Sequence, residues 1–178
     1  TNTLSSEDWL RTWRFAWIIQ SFHCLGLTQL ISRFMRKEYD VSYRVFYEKL
    51  LEYMENTPGS ILYKIESEAT RCYMNLRDGK DWGIIDQRFG NIIWPPEEGT
   101  FLKAVVQADE LYLELSSFIA TLVDSDILSS FKVLDLLAYQ KAMLIKPSST
   151  TESEELLSQG KKFSQWWLFT EYFEDKPL

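Results

Sequence analysis

Apolar residues recur at three- and four-residue spacing along most of this chain, a period that commits it to helices packed face to face. In "LTQLISRFMRK" the apolar positions are Leu27, Leu30, Ile31, Phe34 and Met35, with Arg36 and Lys37 closing the segment. Basic residues suit that end, where backbone carbonyls are left unpaired. The same spacing links Phe46, Tyr47, Leu50, Leu51 and Met54, and again Leu62, Ile65, Ala69, Cys72, Tyr73 and Leu76. Gly26, the break "NTPGS", the pair Pro95–Pro96 and Pro147 punctuate these runs.

The spacing predicts a first helix from about Ser5, whose hydroxyl can cap it, to Gly26. Trp9, Trp13, Ala16, Trp17 and Gln20 share one face, while Phe15, Ile18, Ile19 and Phe22 share another. A helix apolar on so many sides is expected at the centre of its domain. A second helix runs from Leu27 to about Lys37, and a third, capped by Asp40 or Ser42, to about Asn56. The fourth follows "NTPGS". The fifth is the longest, from about Pro96 to Val123, with Phe101, Ala104, Val105, Ala108, Tyr112, Leu115, Ile119 and Leu122 inside. A sixth starts near Asp124–Asp126 and ends near Ile145, with Phe131, Leu134, Ala138 and Ala142 inside.

Helical periodicity fails in "RDGKDWGIIDQRFGNIIWPPEEG". There Trp82 to Ile85 and Asn91 to Trp94 flank a turn near Gly90. They either pair as a short β-hairpin near residues 82–94 or lie across the helices. The expected architecture is mainly α: a single-domain bundle of about six helices over residues 1–146. A flexible polar link over 147–162 and an aromatic tail over 163–178 follow. The tail carries Trp166, Trp167, Phe169, Tyr172 and Phe173, enough apolar area to need a surface, either its own bundle or a partner domain.

With 178 residues, 46% of them hydrophobic and 15% aromatic, the chain has material for one substantial core. Its 19 basic against 26 acidic residues give a net charge of −7, which argues against nucleic acid as a partner. The one basic cluster is Arg33 to Lys37. Cys24 and Cys72 are too few for a disulfide framework and read as reduced, buried thiols of a cytoplasmic protein. No secretory signal or membrane-spanning run is expected. Opening on Thr1 rather than Met reads as a processed form or a piece of something larger.

The adjacent His23–Cys24 pair holds the lone histidine. Zinc needs about four clustered ligands, and neighbours on a helix diverge by about 100°. A metal site is therefore disfavoured against simple packing. A Cys–His nucleophile would have to pair His23 with Cys72 on another helix, with nothing to complete a triad. Glu66 and Glu68 point to different faces; Glu110 and Glu114 share one, as acid/base carboxylates would, though a solvated helix face explains them better. No phosphate-cradling glycine motif is present.

Four stretches taken in order carry a resemblance: "SSEDWLRTWRFAWIIQSFHCLGLTQLISRFM", "VSYRVFYEKLLEY", "NIIWPPEEGTFL" and "LDLLAYQKAML". Together they resemble the helical region after the catalytic barrel in bacterial cobalamin-binding radical SAM enzymes (B12-binding-domain radical SAM proteins), over most of the chain. Some of those enzymes are methyltransferases, and others act in natural-product or cell-envelope glycan assembly. They carry a C-x-x-x-C-x-x-C iron–sulfur motif and commonly an upstream cobalamin domain, neither of which occurs here.

The resemblance implies an accessory C-terminal domain that closes the barrel and shapes the substrate pocket, without catalysis of its own. Its partners would be the radical SAM barrel and cobalamin-binding domain of the parent chain. The 4Fe-4S cluster, SAM and cobalamin are implied for that parent enzyme, and no cofactor, metal or catalytic residue for this chain. Under this reading Gln20, His23, Gln29, Tyr139 and Gln140 are pocket candidates, being polar groups on otherwise apolar helices. Hydrogen bonding inside the bundle is the competing and favoured explanation. Two rival functions stand beside it. One is a stand-alone helical interaction module binding a basic partner through the aromatic tail; the other is an enzyme or carrier with a pocket centred on His23.

Overall fold

The structure, a computed structural model, describes residues 4–123 and 131–144. Seven α-helices carry these residues: α1 Ser6–Ile18, α2 Gln29–Tyr39, α3 Tyr43–Asn56, α4 Ile61–Arg77, α5 Pro96–Val106, α6 Ala108–Ala120 and α7 Phe131–Ala142. The expected link, the aromatic tail and the start of the sixth helix at Asp124–Asp126 lie outside the described residues.

Local chemistry starts the helices where the sequence suggests. Ser5 Oγ accepts from the Asp8 N–H at 3.0 Å, and Ser42 rather than Asp40 caps α3 through the Val45 N–H. Asp40 instead adopts a left-handed conformation, φ 55°, and stops α2. After Ile18 the first helix widens into a π-helical turn over Ile19–Cys24, in which the Leu25 N–H reaches Gln20 O at 2.9 Å. Gly26, at φ 90°, ends it as expected. The turn packs on α5, with Ser21 and Phe22 both fully buried.

Helix α4 is central, touching α1, α3, α5 and α6, while α7 lies against α2 and α6. One apolar core joins Trp17, Ile18 and Phe22 to Leu27, Ile31, Phe46, Tyr47, Leu50, Leu62, Leu111, Leu115 and Phe118. Rings of Phe46 and Tyr53 both meet Phe118, at centroid distances of 5.4 and 5.5 Å.

Five expectations are corrected. The long fifth helix is two helices broken at Gln107, although no Pro or Gly marks the break. Its first half packs on α1, α4 and the π turn, its second on α4 and α7, so tertiary packing overrides a continuous local pattern. Leu134 is 57% exposed, and α7 instead buries Val133, Leu136, Leu137, Tyr139 and Gln140. Trp9, expected in the core, is 56% exposed, and Leu76 is 49% exposed. Cys24 lies on the surface, while Cys72 is buried as expected.

The segment between α4 and α5 forms one antiparallel bridge, Ile84 with Trp94, rather than a hairpin. Asp86 accepts from the Arg88 N–H and pairs with its guanidinium, winding Gln87–Phe89 into a short 3-10 turn. Arg88 holds the Asp86 carboxyl down at about 2. Ile84 then drops onto Gly99 of α5, where a Cβ would stand 2.7 Å from that of Ile84.

Candidate functional site

The junction between α1 and α2 carries His23, and side chains from three other helices, Tyr47, Tyr112 and Gln140, hold it. His23 Nδ1 lies 3.0 Å from Tyr47 Oη and 3.3 Å from Ser32 Oγ. The Tyr47 hydroxyl donates to Ser32 Oγ at 3.1 Å, and the Ser32 hydroxyl in turn donates to Gln29 O at 2.9 Å. Thr28 Oγ1 donates to Phe22 O and lies 3.3 Å from the same Tyr47 hydroxyl. Edge-on contacts with Tyr43 and Tyr47 fix the His23 ring.

Electrostatics follow from that packing. Burial, and then the nearby Arg33 charge, hold His23 below its ordinary value, so the imidazole is neutral at pH 7. Burial pushes the Tyr47 hydroxyl up to about 12, and that of Tyr112 well above its usual range. Tyr112 donates to Leu27 O at 2.8 Å. These phenols are therefore hydrogen-bonding struts rather than acids or bases at neutral pH.

Gln140 serves the same loop from α7. Its Nε2 donates to Gly26 O and its Oε1 accepts from the Leu30 N–H, both at 2.7 Å. That N–H is one of the unpaired donors at the start of α2, so Gln140 caps the helix from a distance. Tyr139 is buried beside it on α7, and Gln29 is half-buried as the first residue of α2. Gln20 is exposed and lies apart, in a cleft between α1, α4 and the bridge segment. Among the described residues, Gln20 alone of the five candidates lines this cleft.

That cleft has a volume of about 390 Å³ and is lined by Trp13, Trp17, Leu76, Trp82, Gln20 and Glu97, with Cys72 at its wall. Burial pushes the Cys72 thiol up, away from the reactive thiolate. Sequence reasoning placed Trp13 and Trp17 on one helical face with Gln20, but Leu76 and Trp82 join them only in the fold.

The carboxylates have structural partners. Glu114 accepts from the Ile61 and Leu62 N–H groups at 2.8 and 3.0 Å, capping α4 from α6. Glu66 is buried on α4, 2.7 Å from Arg14 Nε and bonded by Thr70, and Arg14 also meets Glu55. Glu68 takes Lys103 at 2.8 Å and Arg71. Among the described residues no group of three or more His, Cys, Asp or Glu is placed to hold a metal ion, and no helix is long and apolar enough to cross a membrane.

No protein-family model matches the chain. It is similar to the 2-(S-pantetheinyl)-carbapenam-3-carboxylate methyltransferase of Streptantibioticus cattleyicolor, 22% identical over 160 residues. That match covers 83% of this chain and 23% of the relative. It is also similar to the cobalamin-dependent radical SAM methyltransferase TokK of Streptomyces tokunonensis, 22% identical over 183 residues, 94% of this chain and 26% of the relative. The chain spans about a quarter of the length of these curated relatives, and its similarity is to a region of larger methyltransferases.

Proposed function

We propose that this chain is the helical accessory region of a larger cobalamin-dependent radical SAM enzyme, packing against its barrel and shaping the substrate pocket without performing chemistry. The observation that carries this reading is the asymmetry of the matches: 83% and 94% of this chain align with only about a quarter of each methyltransferase. The polar network agrees with it. His23, Tyr47, Tyr112 and Gln140 spend their hydrogen-bonding groups on fixing a loop, which is scaffold work.

The residues of this chain do not fit an iron–sulfur cluster. Such a cluster takes several cysteine thiolates, whereas Cys24 is exposed on the π turn and Cys72 is buried on α4 with its thiol pushed up. In the proposed enzyme the cluster, SAM and cobalamin belong to the other domains.

Two measurements test the proposal. Reading the gene upstream of Thr1 should reveal a frame continuing through a C-x-x-x-C-x-x-C motif; a start codon immediately before Thr1 would overturn the reading in favour of a stand-alone module. The chain reconstituted anaerobically with iron, sulfide, reductant and SAM should neither develop cluster absorption nor cleave SAM. Robust reductive cleavage would refute a non-catalytic role.

A further inference from the structure

We propose that the cleft between α1, α4 and the bridge segment binds a small organic cation carried on an apolar body, such as an alkyl- or arylammonium. Three indoles, from Trp13, Trp17 and Trp82, line it together with Leu76. Trp17 forms the buried floor, 2% exposed, with its Nε1 donating to Thr100 Oγ1 at 3.2 Å, and Trp13 is steadied by the Tyr73 ring at 5.3 Å. Trp82 stays 43% exposed at the rim. A volume of about 390 Å³ is that of a small-molecule site.

The polar lining supplies the selectivity. Glu97 is the one charged side chain among the lining residues, and it brings a negative charge to an aromatic cleft. Indole faces attract cations through their quadrupole, and a carboxylate at the same cleft adds a direct charge partner. An anion would meet Glu97 without compensation, and a neutral ligand would gain only the apolar contact. Gln20, the other polar side chain of the lining, is exposed at this cleft and carries no charge to compete with Glu97. Glu98 shares the first turn of α5, so the helix dipole alone does not require an acid at Glu97. The assignment stands on the cleft itself and holds whether or not the chain belongs to a larger enzyme.

The test is titration of the 178-residue chain with benzyltrimethylammonium, followed by tryptophan fluorescence and calorimetry at low salt. Benzyl alcohol and benzoate serve as neutral and anionic comparators. The cation should bind saturably and at least about tenfold more tightly than either comparator. Glu97→Gln should reduce cation affinity about tenfold while leaving benzyl alcohol unchanged. Trp82→Ala, at a half-exposed position, should weaken both with an unchanged thermal midpoint. Absence of cation binding, or equal binding of all three probes, overturns the assignment. So does a Glu97→Gln protein that binds the cation as well as the parent.

Discussion

Gln140 and Leu30, 110 residues apart, are joined by a 2.7 Å hydrogen bond in which the side-chain carbonyl of one caps the backbone N–H of the other. The same amide donates to Gly26 O, so a single side chain on α7 closes both ends of the turn entering α2. Gln140→Leu keeps the bulk but leaves a donor and an acceptor unpaired. It should lower stability by about 2 kcal/mol in urea denaturation, with little change in slope. A loss below about 0.5 kcal/mol would show that water replaces the amide without penalty.

The Arg14 cluster separates a buried from an exposed acid on one guanidinium. The Glu66 side chain is 8% exposed and that of Glu55 is 49% exposed. Glu66→Ala should cost about 1.5–3 kcal/mol, because it leaves the largely buried guanidinium with only the half-exposed Glu55 as partner. Glu55→Ala should cost less than about 1 kcal/mol. An Arg14→Met/Glu66→Leu double variant should recover much of the loss. Equal effects of the two single substitutions would show that burial does not set the strength of these pairs.

At Gly99 the constraint is steric. A Cβ there would stand 2.7 Å from Ile84 Cβ and 3.0 Å from Ile84 Cδ1. Gly99→Ala should destabilise by about 1–3 kcal/mol through the forced shift of the bridge segment. Ile84→Ala should be less harmful in that background than in the parent chain, a coupling measurable in a double-mutant cycle.

His23 makes the fold sensitive to acid. Its value in the folded chain lies below the ordinary 6.5, so the unfolded chain binds the proton more readily. Its contribution is fully retained above about pH 6.5 and is lost as pH falls from there towards the folded-state value. Thermal midpoints should therefore fall on acidification through this window, and His23→Gln should flatten that part of the profile. An unchanged profile in the variant would assign the acid sensitivity to carboxylates instead.

Helix content and most starts could be read from the sequence because they depend on neighbours three or four residues away. Ser5 and Ser42 cap as their positions imply. The break at Gln107 could not, since it arises where α5 and α6 turn to different partners. Leu134 misled for a related reason: "VLDLLAY" is apolar on several sides, and period alone cannot choose which side faces α2 and α6. Of the five polar candidates, His23 Nδ1 and the Gln140 amide bond to partners within the chain, whereas Gln20 lines a cleft whose walls include the distant Leu76, Trp82 and Glu97.

The wide turn over Ile19–Cys24 has a bearing on how insertions and deletions are tolerated. It accommodates an extra residue within a helical path, while Trp17 before it and Phe22 within it both remain inside. Removing one residue there would tighten the coil to ordinary α pitch and swing the downstream segment by roughly 100° about the axis. His23 would leave Tyr47, and Gly26 would no longer present its carbonyl to Gln140. A shortened frame at this spot should thus be far more damaging than one at Pro58–Gly59, where the path is already loop.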